Sequence, residues 1–148
     1  MSRSADELKA YREELVLRHI DAENRNDAVT ALATFTRPKY DLRAVEGPVI
    51  EGVDAVHALI ASSGTALPQI TYVARHIHHA ADAVILEYQI TGRHEGEYNG
   101  VAPTGYPVDY PAIAVYEFED ADLVCERMYV NLRGLESQMR GEGPTTAI

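Results

Sequence analysis

A group of polar or reactive side chains is predicted on one face of the last strand-like run in the sequence. Period-two alternation in residues 123–131 places four of them together: Cys125, Arg127, Tyr129 and Asn131. Guanidinium, phenol and amide groups all donate hydrogen bonds, so Arg127, Tyr129 and Asn131 could orient a substrate and stabilise negative charge. The alternative is structural, with a packed tyrosine ladder and Arg127 paired to a helix glutamate.

The preceding strand-like run, 108–118, supplies the expected partner for this face. If the acidic stretch 119–122 is a tight turn, the side chains opposite the polar face are Tyr110, Ala112, Ala114 and Tyr116. Small alanines opposite large polar groups leave space, so we interpret the face as the lining of a pocket. Tyr110 is then a candidate substrate-binding residue, and Tyr40 and Tyr98 are further candidates as hydroxyl donors.

His94 is the candidate general base. It lies in the segment G-R-H-E-G, at the end of a strand-like run in which Tyr88 has the same parity. If that face is the core, Tyr88 faces the substrate and His94 lies at the cavity rim, where a neutral imidazole could take a proton. In the alternative interpretation, His94 is a hydrogen-bonded residue that fixes the loop before Pro103-Thr104-Gly105.

Asn131 is the second candidate for the catalytic step. Its amide cannot titrate, but it could hold an enolate oxygen, as amide donors do in oxyanion holes. Asn131 also directly precedes a predicted helix that opens at Leu132, and asparagine is a favoured helix cap. Both interpretations remain open from the sequence.

No metal site is predicted. The cluster R-H-I-H-H places His76 and His78 on one face, but a metal also needs a third ligand nearby. A tight turn at residues 81–82 would place Glu87 opposite His76, and a shift of one residue would place Tyr88 there. A histidine beside a glutamate across a sheet is more often an ion pair than a metal site.

Helical periodicity at the start of the chain gives way to strand periodicity after Pro68, which predicts an α+β fold. Ser4 and Glu7 have the spacing of a capping box, and Asp27 can cap a second helix. The expected helices cover 4–25, 27–35, 54–63 and 132–140. The expected strands cover 40–45, 70–79, 83–94, 108–118 and 123–131.

The composition is that of one globular domain, which we place at residues 1–140, followed by a disordered tail at 141–148. The net charge of −10 argues against nucleic acid and anionic membranes as partners. Cys125 is the single cysteine, which excludes an intrachain disulfide and is compatible with a reducing cytoplasm. The sequence has no secretory signal and no apolar run long enough to cross a bilayer, so we expect a cytoplasmic protein.

The stretch from Gly92 to Met139 carries a family resemblance. It combines G-R-H-E-G-E-Y-N-G-V-A-P-T-G, a long alternating strand, an acidic turn, a second alternating strand and a short helix. This order resembles the SnoaL-like polyketide cyclase family, related to nuclear transport factor 2 and ketosteroid isomerase. The resemblance implies a cone-shaped, curved antiparallel sheet wrapped around the N-terminal helices. It also places Asn131 where the family carries an acid–base aspartate.

The function implied is cofactor-free aldol cyclisation or isomerisation of a keto-bearing, apolar or aromatic small molecule. The competing interpretation is a non-catalytic ligand-binding or dimerisation module, which the asparagine in place of aspartate would suit. The resemblance also implies a homodimer formed by sheet-to-sheet pairing. Four apolar side chains are predicted on the paired outer face: Ile113, Val115, Met128 and Val130.

Overall fold

The computed structural model describes residues 3–143, and the predicted α+β class is confirmed. The last five residues of the predicted tail lie outside the described part. The helices are α1 (Ala5–Asn24), α2 (Ala28–Leu32), α3 (Val53–Ala66) and α4 (Leu132–Met139), with a 3₁₀ turn at Arg43–Val45. The strands are β1 (Lys39–Asp41), β2 (Val49–Glu51), β3 (Thr71–His79), β4 (Ala83–Arg93), β5 (Pro107–Glu119) and β6 (Asp122–Val130).

The N-terminal helices begin where the sequence predicts. The Ser4 backbone N–H donates to Glu7 Oε2 at 2.7 Å, and the Glu7 N–H donates to Ser4 Oγ at 3.3 Å, which completes the capping box. Asp27 caps α2 by accepting the Thr30 N–H at 3.0 Å. The second helix ends earlier than the predicted 35, because Phe35 forms a parallel bridge to the sheet.

The six strands form one curved sheet in the order β2-β1-β6-β5-β4-β3. Neighbouring strands are antiparallel except β1 and β6, which run parallel with Tyr40 beside Glu126. The sheet is therefore mixed, where the sequence predicted an antiparallel one. The short strand β2 was not predicted, since the Gly and Pro residues that flank it indicate turns.

A β-bulge near the start of β6 determines which side chains face the helices. Phe118 pairs with Leu123, but Glu117 pairs with Cys125, so Val124 is an extra residue. Because side chains alternate along a strand, one extra residue moves every later side chain to the opposite face. The inner face of β6, which packs toward the helices, therefore carries Glu126, Met128 and Val130, opposite Tyr116, Ala114 and Ala112.

The predicted pocket face of β6 is thus wrong for Arg127, Tyr129 and Asn131. Arg127 and Tyr129 pair with Val115 and Ile113 on the solvent side of the sheet, called the outer face below.

The apolar core lies between the helices and the inner face. Among its fully buried side chains are Val16, Leu86 and Tyr116. Burying one large apolar side chain contributes roughly 1.5–3 kcal/mol to stability. Among residues 3–143, no helix is long and apolar enough to cross a membrane.

Candidate functional site

A cavity of about 440 Å³ lies between the helices and the inner face of the sheet. Its wall is mostly apolar, with side chains from α3, β4, β6 and α4. Exposed Glu97 and Asn99 on the loop after β4, with Pro48 before β2, form its rim. The apolar lining includes Leu42, Leu59, Ile60, Leu67, Ile70, Ile90, Met128, Val130, Leu132 and Leu135. This volume and lining are typical of a site for a small organic molecule.

Besides Glu97 at the rim, two carboxylates line the same cavity. Glu126 comes from the inner face of β6 and is only 2% exposed, and Glu23 comes from the last turn of α1. The Tyr40 hydroxyl donates to Glu23 Oε1 at 3.3 Å. Within the described residues, Glu126 Oε2 is buried without a hydrogen bond of good geometry. A buried acceptor without a good donor is costly, and because Glu126 lines the cavity, its carboxylate is a natural contact for a ligand.

His19 lies behind the two carboxylates and is fully buried. Its Nε2 is 3.3 Å from Glu126 Oε2 and 3.4 Å from Glu23 Oε1. On the other side of the ring, Nδ1 is 2.8 Å from Thr34 Oγ1. The Thr34 hydroxyl donates its own proton to the Ala31 carbonyl at 2.6 Å, so Nδ1 must be the donor toward Thr34. With oxygen acceptors at both ring nitrogens, the geometry favours an imidazolium.

His19, Glu23, Glu126 and Tyr40 form a group that we call the carboxylate cluster. The pKa shifts within this cluster agree with a protonated, positively charged His19. Burial by itself lowers the pKa of His19, but the neighbouring carboxylates of Glu23 and Glu126 outweigh it and raise the pKa to about 10. Burial raises the pKa of Glu126 above 4.5, while His19 acts in the opposite direction. The result is a carboxylate that is a stronger base than an exposed one.

Three of the residues predicted to bind substrate do line the cavity: Tyr40, Tyr98 and Tyr110. Tyr88 is buried on the inner face but lies outside the set that lines the cavity. Its hydroxyl is hydrogen-bonded to that of Tyr116, and its ring packs edge-on against Tyr72 with centroids 5.8 Å apart. Tyr88 therefore supports the cavity wall through packing.

The outer-face residues are engaged elsewhere. Arg127 pairs with Glu117 and, at 3.3 Å, with Asp41 Oδ2, so its partners are strand carboxylates rather than a helix glutamate. Tyr129 is 44% exposed. Asn131 caps α4, accepting the Gly134 N–H at 3.0 Å. None of the three lines the cavity, so their expected positions are corrected by the bulge in β6.

His94 is fully buried and also lies outside the set of cavity-lining residues. Its Nδ1 is 3.1 Å from Thr104 Oγ1. Its backbone N–H donates to the Tyr106 carbonyl at 2.9 Å, and its carbonyl accepts the Gly105 N–H at 2.8 Å. These bonds match the alternative in which His94 fixes the loop before β5.

The structure pairs His76 with Glu87 across β3 and β4, as one of the two predicted registers requires. A bulge between Ala74 and His76 shifts the pairing further along the strands. His78 Nε2 is 3.5 Å from Glu87 Oε2, on an exposed surface. Within residues 3–143, no group of three His, Cys, Asp or Glu side chains has metal-site geometry.

Sequence reasoning missed His19, Glu23 and Glu126. One signal was present in α1, where His19 and Glu23 are four residues apart and adjoin the apolar positions of the helix. Charged groups at core positions are rarely buried without partners, so a polar pair beside an apolar stripe suggests an internal site. The position of Glu126 depended on the bulge and could not be recognised by alternation alone.

Substitutions at Asn131 test whether this residue stabilises the protein by capping α4. We expect Asn131→Ala to lower the free energy of unfolding by roughly 0.5–2 kcal/mol, because the Gly134 N–H loses its acceptor. Asn131→Asp should keep most of that stability, since aspartate caps helices about as well. Urea unfolding of the three proteins checks this, and equal loss in both variants would contradict the capping assignment.

The chain is similar to a known protein family and to several solved structures. The family model for the SnoaL-like polyketide cyclase matches residues 13–139. No curated protein matches the chain. A candidate SnoaL-like polyketide cyclase from Jannaschia sp. CCS1 has a TM-score of 0.80 at 21% identity, covering 94% of this chain and 96% of the other.

Two further solved structures have similar folds. AclR from Streptomyces galilaeus, described as a candidate hydroxylase, has a TM-score of 0.76 at 26% identity, covering 93% of this chain and 85% of AclR. A protein with a ketosteroid isomerase-like fold from Catenulispora acidiphila, in complex with trimethylamine, has a TM-score of 0.72 at 18% identity, covering 86% of this chain and 92% of the other. The match of the family model over most of the chain, on a fold that these structures share, establishes that this protein belongs to the SnoaL-like polyketide cyclase family.

Proposed function

We propose that this chain is a cofactor-free cyclase or isomerase of a keto-bearing, apolar small molecule, with Glu126 as its general base. The observation that carries the proposal is a buried carboxylate that lines an apolar cavity, with its Oε2 3.3 Å from the imidazolium of His19 and without a hydrogen bond of good geometry. Burial raises the pKa of Glu126, which brings a carboxylate closer to the basicity useful near neutral pH.

The reaction begins with a proton on carbon next to the substrate carbonyl. Glu126 takes this proton, the C–H electron pair moves into the carbonyl group, and an enolate forms. Return of the proton to another carbon is an isomerisation. Attack of the enolate carbon on a second carbonyl forms a C–C bond, and the proton then passes from Glu126 to the new alkoxide. Both routes leave the enzyme unchanged and require no cofactor.

The enolate oxygen needs hydrogen-bond donors in the same cavity. The hydroxyls of Tyr98 and Tyr110 are candidates, because both residues line the apolar wall. His19 does not line the cavity and acts through Glu126, so we assign it as a positioning residue. Its Nδ1–H is anchored on Thr34, which keeps Nε2 directed at the carboxylates.

Solvent deuterium exchange into a simple cyclic ketone tests this proposal. β-Tetralone in heavy water should exchange the hydrogens next to its carbonyl faster with the wild-type protein than in buffer alone, as followed by NMR. His94→Ala and Asn131→Asp should exchange at the wild-type rate, since neither residue lines the cavity. No acceleration across a panel of bicyclic ketones would favour the binding-module alternative.

A homodimer through the outer face is part of the proposal. Ile113 is 38% exposed there, with Val73 and Tyr129 also exposed, and these exposed apolar side chains support pairing with a second copy. Of the four apolar residues predicted for this face, Met128 and Val130 instead line the cavity. The dimer proposal therefore depends on the outer-face residues alone.

Ile113→Asp should disrupt this pairing, because it places a second carboxylate opposite Glu87 and beside Tyr129 on the paired face. We expect the wild-type protein to sediment as a dimer at micromolar concentration and the variant as a monomer. Leu17→Asp, an exposed apolar position on α1, is the matched control and should remain dimeric. A monomeric wild-type protein would contradict the proposed dimer.

The net charge indicates the class of partner, and the single cysteine bears on the cellular location. The net charge of −10 disfavours nucleic acid and anionic lipid, and the proposed partner is a small apolar or aromatic molecule. Cys125 is a single buried thiol whose pKa is raised by burial to about 11. An inert, unpaired thiol suits a reducing compartment, so we propose a cytoplasmic location.

A further inference from the structure

We propose that the ligand of this cavity carries a protonated amine, which Glu23 binds while Glu126 contacts the reacting carbon. The inference deepens the proposed function by naming the charge class of the ligand. It rests on the same cavity but not on the enolate chemistry, because a charge preference is measured by binding without turnover.

The first observation is a shortage of hydrogen-bond donors in the carboxylate cluster. The single Nε2–H of His19 faces three oxygens, from Tyr40 at 3.1 Å, Glu126 at 3.3 Å and Glu23 at 3.4 Å. One N–H cannot satisfy three acceptors with good geometry. Glu126 Oε2 is buried without a hydrogen bond of good geometry, and Glu126 is one of the residues that line the cavity. The two carboxylates therefore share too few donors, which favours a ligand that donates a hydrogen bond to the more accessible one, Glu23.

The second observation is the sign of the charge around the cavity. Its charged lining residues are Glu23, Glu126 and, at the rim, Glu97. No Lys, Arg or His occurs among the lining residues in the described part of the chain. One imidazolium behind two carboxylates balances only one of them, so the cavity retains negative charge. Anionic ligands such as free carboxylates and phosphates would be repelled, and a cation would be favoured.

Glu23 is the better placed carboxylate for a cation. Its side chain is 14% accessible, while that of Glu126 is 3% accessible. Glu23 contacts Tyr40 and His19 through Oε1, which leaves Oε2 for a ligand. Tyr40 and Tyr72 also line the cavity next to Glu23, and aromatic rings add a favourable environment for an ammonium group.

Three probes of nearly equal size test the charge preference: naphthylmethylamine, naphthalenemethanol and naphthoate. Isothermal titration calorimetry with the full-length wild-type protein should show the amine binding about tenfold or more tightly than the alcohol, as expected for a charge-assisted hydrogen bond. Naphthoate should bind more weakly than the alcohol. Equal affinities for amine and alcohol, tightest binding of naphthoate, or no binding of the amine would each overturn the proposal.

Variants of Glu23 identify the anchor. Glu23→Gln should remove most of the advantage of the amine over the alcohol, and Glu23→Asp should retain part of it because the charge is kept. Glu14→Gln removes one charge from the exposed side of the same helix and should leave the preference unchanged. A preference that survives in Glu23→Gln, or disappears in Glu14→Gln, would contradict the assignment. Amine binding without ketone exchange would support this inference while removing the proposed function.

Discussion

Replacing Glu126 by glutamine is expected to slow ketone deuterium exchange by roughly 10²–10⁴-fold, the usual contribution of a positioned general base. The amide keeps the shape of the side chain and can still donate a hydrogen bond, but it cannot take a proton from carbon. The Glu126→Gln variant should remain folded, because the substitution removes a buried charge and the new amide can still contact His19. The measurement is the initial exchange rate by NMR at equal protein concentrations, with circular dichroism to confirm the fold.

Glu117→Gln is the matched control for this experiment. Glu117 lies on the neighbouring strand, pairs with Arg127 on the outer face and does not line the cavity. The control variant should retain the wild-type exchange rate even though it loses the same charge. A Glu126→Gln protein as fast as wild type, or a Glu117→Gln protein as slow as Glu126→Gln, would show that the cavity carboxylate is not the base.

The second large effect concerns the dependence of stability on pH. The carboxylates of Glu23 and Glu126 raise the pKa of His19 to about 10 from its ordinary value of 6.5, against the effect of burial. A group whose pKa is higher in the folded state stabilises the fold fully below the unfolded pKa, and this contribution is lost as pH rises toward the folded pKa. We therefore expect the free energy of unfolding to fall between pH 6.5 and 10.

The size of this loss in the free energy of unfolding follows from the same thermodynamic linkage, and His19→Gln is its control. Each unit of pKa difference corresponds to about 1.4 kcal/mol, so the loss can reach a few kcal/mol across this range. The raised pKa of Glu126 has the same sign, but its effect begins near pH 4.5, below the range in which His19 titrates. His19→Gln should be less stable near neutral pH and should flatten the profile. A flat wild-type profile, or an equal slope in His19→Gln, would contradict an imidazolium in the core.

The elements of this fold were largely predictable because their signals are local. The capping box of Ser4 and Glu7 fixes the start of α1, and Asp27 fixes the start of α2. Alternation identified four of the strands within a few residues at each end. The short strand β2 escaped detection, because a three-residue strand between turn residues has almost no periodic signal.

The site was less predictable because its position depends on one residue of register. The extra residue Val124 moves Glu126 to the inside and Arg127 to the outside of the sheet. The site also joins groups far apart in the chain, since His19 and Glu23 come from the first helix. Of the predicted contacts, Tyr40, Tyr98 and Tyr110 were brought into the cavity by strands or loops that the bulge does not affect.

Affinity labelling with a bromoacetyl naphthalene tests the central claim most directly, because the reagent is a ketone whose reactive carbon occupies the place of the substrate carbon. A carboxylate base should displace bromide and form an ester, which peptide mapping by mass spectrometry can locate. We predict labelling of Glu126, its loss in Glu126→Gln, and protection by β-tetralone. Labelling at His94, or labelling that persists unchanged in Glu126→Gln, would contradict Glu126 as the base of this site.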